Sequence, residues 1–174
     1  MLTWFPSPYP DELFYSVLCR YYVSSGVKEH YLVKKQLFGT KAGVKMATLY
    51  PNATVHAALL QLPDGVFDER DMILRHTPFL YYARMYPQEE REVLLDDLVQ
   101  GRSRTPTHLW KTFPKDDYAL RYCPSCVQED TQIYGEPYYH VEHQIPLSSV
   151  CVRHKCRLKQ ITIDNPRLAL NNKF

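Results

Sequence analysis

The chain has 174 residues and a formal net charge of only +2, and 45% of its residues are hydrophobic. This length accommodates one ordinary domain, or a helical domain with a small metal module, and the composition is typical of a globular protein. The chain contains no apolar run that could cross a bilayer, no basic and apolar secretory start, no phosphate-binding glycine loop and no activated nucleophile, so we expect a cytoplasmic, non-enzymatic protein without a membrane role.

The N-terminal segment is predicted to be extended. Prolines at positions 6, 8 and 10 stiffen it and leave aromatic rings between them that can pack on another molecule. We therefore expect Trp4, Phe5 and Tyr9 to contact a partner protein. A helix should follow, with Asp11 and Glu12 in its first turn and Gly26 at its end, because apolar residues recur between them at helical spacing.

A second helix is predicted from about residue 28 to 38, with Leu32, Val33 and Leu37 facing inward. Across a tight turn, it forms with the first helix a pair compatible with a helix-turn-helix unit. In that arrangement the second helix would carry Lys34 and Lys35 to DNA. Any small helical bundle contains such a pair, so the pattern alone is weak evidence for DNA recognition.

Further short helices complete the predicted N-terminal bundle. After an irregular stretch at 40–52, Thr54 and Asp68 are expected to cap two helices, the apolar residues 79–82 are expected in the core, and a last helix should follow Pro87. Its inward residues are predicted to be Val93, Leu94, Leu95 and Leu98. The fold class is therefore mainly α, with a helical domain over residues 1–101 and a linker over 102–117.

Residues 118–174 are predicted to form a small zinc-binding module resembling a zinc ribbon or treble clef. Cys123 and Cys126, and then Cys151 and His154, form two ligand pairs with two intervening residues each, which is the spacing of a Cys3His zinc site. Four protein ligands leave no open coordination position, so the Zn²⁺ should be structural. Cys156 is an alternative fourth ligand, although His154 preserves the two-residue spacing.

A disulfide is the competing explanation for these cysteines. The chain has five of them, an odd number, and it has no secretory signal at its start. A reducing compartment favours metal binding over a disulfide.

Basic residues recur in separate blocks along the chain and favour contact with phosphates. The candidates for DNA binding are Lys34, Lys35, Arg102, Arg104, Arg153, Lys155 and Arg157. The last two belong to a predicted strand at 155–159 with one basic face. Solvated helix faces give similar charge blocks, so this pattern does not by itself establish a DNA-binding protein.

His140 and His143 invite an enzymatic interpretation, because Glu136 and Glu142 lie close in sequence. Hydrolysis would need a second, catalytic metal with open positions, and nothing else resembles a nuclease constellation. We therefore interpret both histidines as packing and hydrogen-bonding groups of the zinc module.

An ordered series of motifs resembles the TniQ/TnsD family of transposon target selectors over nearly the whole chain. The motifs are FPSPYPDELFYS at 5–16, HTPF at 76–79, RYCPSC at 121–126 with Glu129 and Asp130, GEPYYH at 135–140, HQIP at 143–146 and CVRH at 151–154. The family often has tryptophan where Tyr139 stands and glycine where Lys155 stands, and Cys156 is not a position that the family leads us to expect.

The resemblance implies a non-catalytic adaptor in the prokaryotic cytoplasm, associated with the nucleoid. Such a protein marks the insertion site on double-stranded DNA and recruits or caps filaments of the transposon's AAA+ regulator, TnsC. Some members recognise an attachment-site sequence, and others dock on an RNA-guided CRISPR effector. Longer members continue into further DNA-binding repeats. The alternative function is a sequence-specific DNA-binding module that acts mainly through its own DNA contacts.

Overall fold

The structure, a computed structural model, describes Leu2 and residues 4–39, 53–102 and 119–162. The predicted irregular stretch at 40–52, nearly all of the predicted linker and the chain after residue 162 lie outside the described residues. In the described part, eight helices accompany one two-stranded sheet, so the prediction of a mainly α fold is confirmed. None of these helices combines the length and apolarity that a bilayer-spanning segment requires.

The first helix, α1 (Phe14–Ser25), is the centre of the core. All of its residues from 14 to 21 are buried, so neighbouring segments enclose its first two turns on every side. The helix ends at Gly26, whose φ of 66° lies in the left-handed region that glycine adopts without steric cost.

The start of α1 differs from the prediction, because Asp11 and Glu12 lie before the helix. Asp11 has a φ of 57°, and Glu12 forms an isolated antiparallel bridge with His140. The backbone at this point therefore pairs with a distant segment of the chain instead of starting a helical turn.

The second helix, α2 (His30–Phe38), buries Val33 and Leu37 completely, as predicted. Leu32 is 46% exposed, so its predicted inward orientation is wrong. Successive helical residues are separated by about 100°, and with Val33 centred on the core Leu32 turns toward solvent.

Two short helices follow, α3 (Thr54–Leu59) and α4 (Glu69–His76). Asp68 caps α4 as predicted, since its carboxylate accepts hydrogen bonds from the backbone N–H groups of Arg70 and Asp71. Thr54 was expected to cap α3, but it is the first residue inside that helix and is buried, with Ala53 at the cap position.

The helices α5 (Phe79–Ala83) and α6 (Gln88–Val99) complete this part of the core. Of the apolar residues at 79–82, Phe79 and Tyr82 are buried but Leu80 is 60% exposed. In α6, Leu95 and Leu98 are buried, whereas Val93 is exposed. The predictions that Leu80 and Val93 face inward are wrong, because each helix packs against the core along a stripe narrower than its apolar sequence.

The C-terminal part pairs β1 (Ala119–Tyr122) with β2 (Lys159–Thr162) in antiparallel register. Between them lie α7 (Pro124–Tyr134) and α8 (Val141–Gln144). We did not predict α7. The predicted strand at 155–159 also begins later, because Lys155 has a φ of 54°, which no strand accommodates.

The helical part and the C-terminal part share one apolar core. Leu120, Tyr139 and Val141 belong to the same buried cluster as the residues of α1. The predicted domain boundaries near 101 and 118 stay a prediction, since residues 103–118 lie outside the described part. What the described residues do show is that the two parts pack directly on each other.

Candidate metal centre

The first ligand pair is presented by the junction of β1 and α7. Cys123 lies directly after the strand and occupies the cap position of the helix, where its Sγ accepts a hydrogen bond from the backbone N–H of Cys126 at 3.5 Å. Pro124 follows at the first helical position, for which its ring is preorganised. Because of this local geometry, both thiols are buried and face the same candidate metal position.

The second ligand pair lies on a tight turn between residues 151 and 157. The backbone N–H of His154 donates to Sγ of Cys151 at 3.4 Å, and the N–H of Lys155 donates to the carbonyl of Cys151 at 2.9 Å. An isolated bridge between Val150 and Arg157 closes the turn. This geometry folds the backbone so that Cys151 and His154 face the first pair.

The four predicted ligands converge on one point. Nδ1 of His154 lies 3.6 Å, 3.3 Å and 3.7 Å from the sulfur atoms of Cys123, Cys126 and Cys151, and the last two sulfur atoms are 3.8 Å apart. A tetrahedral ion with bonds of about 2.3 Å to sulfur and about 2.0 Å to nitrogen separates its ligand atoms by roughly 3.5–3.8 Å. The group can therefore hold a metal ion.

Cys156, the alternative fourth ligand, lies beside this group. Its Sγ is 3.2 Å from Sγ of Cys123, which is shorter than the roughly 3.8 Å that separates two thiolates on one tetrahedral ion. It is also only half-buried, in contrast to the other three thiols of the cluster. This geometry favours His154 as the fourth ligand, which stays a prediction.

Glu129 lies beside the ligand set. Its carboxylate lies 3.6 Å from Nε2 of His154, the nitrogen that does not face the sulfur atoms, and accepts a hydrogen bond from Arg153 at 2.8 Å. The separation from His154 is too long for a hydrogen bond. Glu129 is therefore a neighbour of the ligand set whose hydrogen-bond partner is Arg153, and no role was predicted for it from the sequence.

His140 is buried between two carboxylates. Its Nε2 lies 2.9 Å from Asp130 and its Nδ1 lies 3.6 Å from Asp11. Burial alone would lower the pKa of His140, but the neighbouring carboxylates of Asp11 and Asp130 raise it to about 9. His140 is therefore a charged structural link, which fits the hydrogen-bonding role expected from the sequence. The partners Asp11 and Asp130 were not identified from the sequence.

The N-terminal segment is attached to the metal module through backbone pairing on both sides of His140. The N–H of Leu13 donates to the carbonyl of Tyr139 at 2.7 Å, and the N–H of Val141 donates to the carbonyl of Asp11 at 2.8 Å. The side chain of Tyr139 is 1% exposed and packs in the core of α1. The FPSPYPDELFYS and GEPYYH motifs thus meet in space.

A partly buried ion network reinforces this junction. Arg20 of α1 donates to the carboxylate of Glu12 at 2.9 Å and to that of Glu136 at 2.7 Å. Its guanidinium also lies 3.7 Å from the centre of the Tyr9 ring. Burial raises the pKa of Glu12 to about 7, although the backbone N–H of Tyr9 and the charge of Arg20 oppose this shift. Sequence reasoning missed this network, whose partners lie up to 127 positions apart.

The candidate DNA-binding residues differ in their surroundings. Lys35, Lys155 and Arg157 are exposed, and Lys34 is half-buried. Arg102 and Arg153 are exposed but form ion pairs with Asp97 and Glu129. Arg104 lies outside the described residues. Apart from Arg102, which follows α6, the described candidates lie in two groups, on α2 and on the second ligand turn.

The three predicted partner-binding residues are not equivalent. Trp4 is 50% exposed and stacks on Tyr21 with ring centres 6.0 Å apart. Phe5 is buried in the core against Phe14 and Tyr21. Tyr9 is half-buried beneath Arg20. Of the three, Trp4 offers the largest accessible ring to another molecule.

Comparisons with known proteins agree with these features. The model of the TniQ family matches residues 3–158. The transposon Tn7 transposition protein TnsD of Escherichia coli is 28% identical over 153 residues, which cover 86% of this chain and 30% of that protein. The chain therefore spans less than a third of the length of this curated relative.

Proposed function

The chain belongs to the TniQ family, and from this premise we propose that it is a non-catalytic adaptor that selects the target site for DNA transposition. The observation that carries the proposal is the family match over residues 3–158, which includes every described helix and strand except β2. Similarity to a protein named for Tn7 transposition supports the same process.

In this proposal the chain recruits a TnsC-type AAA+ ATPase to double-stranded target DNA. The exposed ring of Trp4 would contact the ATPase, and it is held in place by its stacking on Tyr21 and by the buried Phe5 next to it. A large aromatic side chain on a stiff segment loses little conformational entropy on binding, which suits protein docking.

The proposed metal is one structural Zn²⁺ ion held by Cys123, Cys126, Cys151 and His154. Three thiolates and an imidazole are a donor set that zinc prefers, and the ligand separations fit tetrahedral coordination. The ion would cross-link the β1–α7 junction to the second ligand turn. We expect one equivalent of zinc per chain by elemental analysis.

The adaptor proposal is tested by co-sedimentation of the chain with TnsC filaments assembled on DNA with ATP, beside a control with DNA alone, over a series of salt concentrations. We expect retention only when TnsC is present. Trp4→Ala should weaken retention at least tenfold, whereas Tyr31→Ala, which removes an aromatic ring that is 65% exposed on α2, should not. Equal retention on bare DNA would contradict the proposal.

A DNA-binding module is the second candidate function, and the exposed Lys155 and Arg157 on the second ligand turn favour it. Phosphate contacts by these residues predict binding that falls steeply as salt rises. In the same experiment, retention without TnsC that is lost at high salt and reduced by Lys155→Ala and Arg157→Ala would support this function over the adaptor.

A further inference from the structure

His143 is the most deeply buried imidazole of the metal module, with a side chain that is 2% exposed. Its Nδ1 is buried and meets no hydrogen-bond partner among the described residues. A buried polar atom without a partner costs free energy. We therefore expect a favourable interaction at the other ring nitrogen to offset the free-energy cost of burying Nδ1.

That other nitrogen faces the metal centre. Nε2 of His143 lies 3.9 Å from Sγ of Cys126, at the long end of the range for a hydrogen bond to sulfur, and 3.5 Å from Oε1 of Glu142. A metal-bound thiolate and a carboxylate are both acceptors. A neutral imidazole carries a single N–H, and these two neighbours assign that proton to Nε2.

The other two thiols of the ligand set each have their own N–H donor. The backbone N–H of Cys126 donates to Cys123, and the backbone N–H of His154 donates to Cys151. The thiol of Cys126 has a donor of a different kind. Among the described residues outside the ligand set, Nε2 of His143 is the donor that faces Sγ of Cys126. Each of the three sulfur atoms therefore has one N–H donor. Two of these donors belong to the backbone and one belongs to a side chain.

Such donors matter because a divalent ion with three thiolates and a neutral imidazole retains one net negative charge in a buried place. An N–H group pointed at a thiolate stabilises that charge, and outer-shell partners of this kind change metal affinity by about 10–100-fold.

We propose that His143 donates a hydrogen bond from Nε2 to the thiolate of Cys126 and thereby slows the loss of the metal. The inference rests on the zinc site proposed above. His143 is a positioning residue in this account, because it acts on the ion through Cys126 and is not one of the four ligands.

The test compares the rate of zinc transfer from the whole chain to a chromogenic chelator in wild type, His143→Phe and His143→Gln. Phe removes the N–H and keeps the ring, so zinc release should become about tenfold faster while one equivalent of zinc still binds. Gln restores an N–H donor and should recover part of the loss. His30→Phe is the matched control, because His30 stacks on Tyr22 in the helical part, and its release rate should equal that of wild type.

Absorption of the cobalt-substituted protein distinguishes a donor from a ligand. His143→Phe should shift the sulfur-to-cobalt charge-transfer band and leave the intensity of the tetrahedral ligand-field bands unchanged. Unchanged release and an unchanged band in His143→Phe would overturn the proposal. Lost tetrahedral intensity would also overturn it, because His143 would then be a ligand.

Nitrogen NMR of the wild-type histidines gives an answer that does not depend on whether a variant folds. We expect a proton on Nε2 of His143 and a metal-bound Nδ1 on His154. A proton on Nδ1 of His143 would overturn the inference. A wild-type chain that binds no metal would instead refute the proposed zinc site, so failures of the two proposals are distinguishable.

Discussion

The helical part and the metal module of this protein bury different kinds of side chain. Helices α1 to α6 enclose leucine, valine, phenylalanine and tyrosine in one large cluster, whereas the separate cluster of the module consists of three cysteines with Cys156 and Leu158 packed against it. Apolar burial stabilises a fold by roughly 25 cal/mol per Å² without any cofactor. Clustered thiols stabilise a fold only when they bind a metal ion. We therefore expect that only the module requires metal in order to fold.

The edge of the module that faces α1 is an intermediate case. Leu120, Tyr139 and Val141 are buried in the helical core, and the backbone around Tyr139 pairs with residues 11–13. Apolar contact therefore holds this edge, while the two ligand turns lie farther from the apolar cluster. Metal loss should loosen the ligand turns first and the junction with α1 last.

Removal of one ligand should have the largest effect. Structural zinc contributes about 10–16 kcal/mol of apparent binding free energy in small peptides, which is comparable with the roughly 5–15 kcal/mol stability of a whole domain. Cys151→Ser should therefore abolish stoichiometric zinc binding and unfold the two ligand turns, residues 122–127 and 150–158, as measured by elemental analysis and hydrogen exchange.

Cys19→Ala is the matched control for that variant, because Cys19 is buried in α1 away from the metal group. It should retain one equivalent of zinc. A Cys151→Ser chain with normal melting and full zinc content would refute the structural role of the metal.

Truncation in the helical core should have the next largest effect. Leu18 is fully buried in α1, and Leu18→Ala should lower the free energy of unfolding by about 2–5 kcal/mol, because it removes buried apolar surface and leaves a cavity. Urea denaturation measures this loss, and zinc stoichiometry should be unchanged. Val23→Ala, at an exposed position of the same helix, should change stability by less than about 0.5 kcal/mol. Similar losses in the two variants would contradict the assignment of the core.

The junction should respond to pH. Two carboxylates raise the pKa of folded His140 from its ordinary value of 6.5 to about 9. Its protonation therefore contributes stability that is complete below pH 6.5 and is lost as the pH rises through 9, by up to about 3 kcal/mol. The decline should appear as a difference in urea stability between wild type and Asp130→Asn over pH 7 to 9.5. The thiols of the proposed zinc site, and Glu12 with its pKa raised by burial to about 7, also titrate in or near this range, but their contributions are common to both proteins and cancel in that difference.

Asp130→Asn should at least halve that decline, because it removes one carboxylate from His140. Asp64→Asn, a change at an exposed acid between α3 and α4, should leave it unchanged. A decline of equal size in all three proteins would show that His140 is not its source.

The smallest effect is expected at the second ligand turn. Lys155 has a φ of 54°, a conformation that costs a residue with a side chain roughly 1 kcal/mol and costs glycine little. Lys155→Gly should therefore stabilise the zinc-bound protein by up to about 1 kcal/mol in thermal melting. Lys159→Gly in β2 should destabilise it instead, because strand glycine is unfavourable. Destabilisation by Lys155→Gly would indicate that the lysine side chain makes a contact that outweighs the backbone strain.

The local features of this molecule could be predicted from the sequence, because the chemistry that produces them is local. The spacing of Cys123, Cys126, Cys151 and His154 predicted the metal group that the structure assembles. Asp68 and Gly26 predicted a helix start and a helix end for the same reason. The motif series predicted the family that the comparison confirms.

Features that depend on distant partners were not predicted. Periodicity placed Leu32 and Val93 on apolar stripes, and the apolar run at 79–82 placed Leu80 in the core. Neither pattern defines which apolar residues a neighbouring helix covers. Glu12 and Asp11 were assigned to a helical turn, because the sequence does not reveal that residues 139–141 pair with them. Helix α7 was missed because Cys123 and Pro124 were interpreted only as part of a ligand turn, although they also start a helix.

Hydrogen exchange of the intact chain before and after metal removal by a chelator tests most directly whether the two regions are held by different forces. We predict that protection is lost at the ligand turns, residues 122–127 and 150–158, and retained in α1, α4 and α6. Uniform loss across the helices, or protection of the ligand turns that does not change when the metal is removed, would contradict this account.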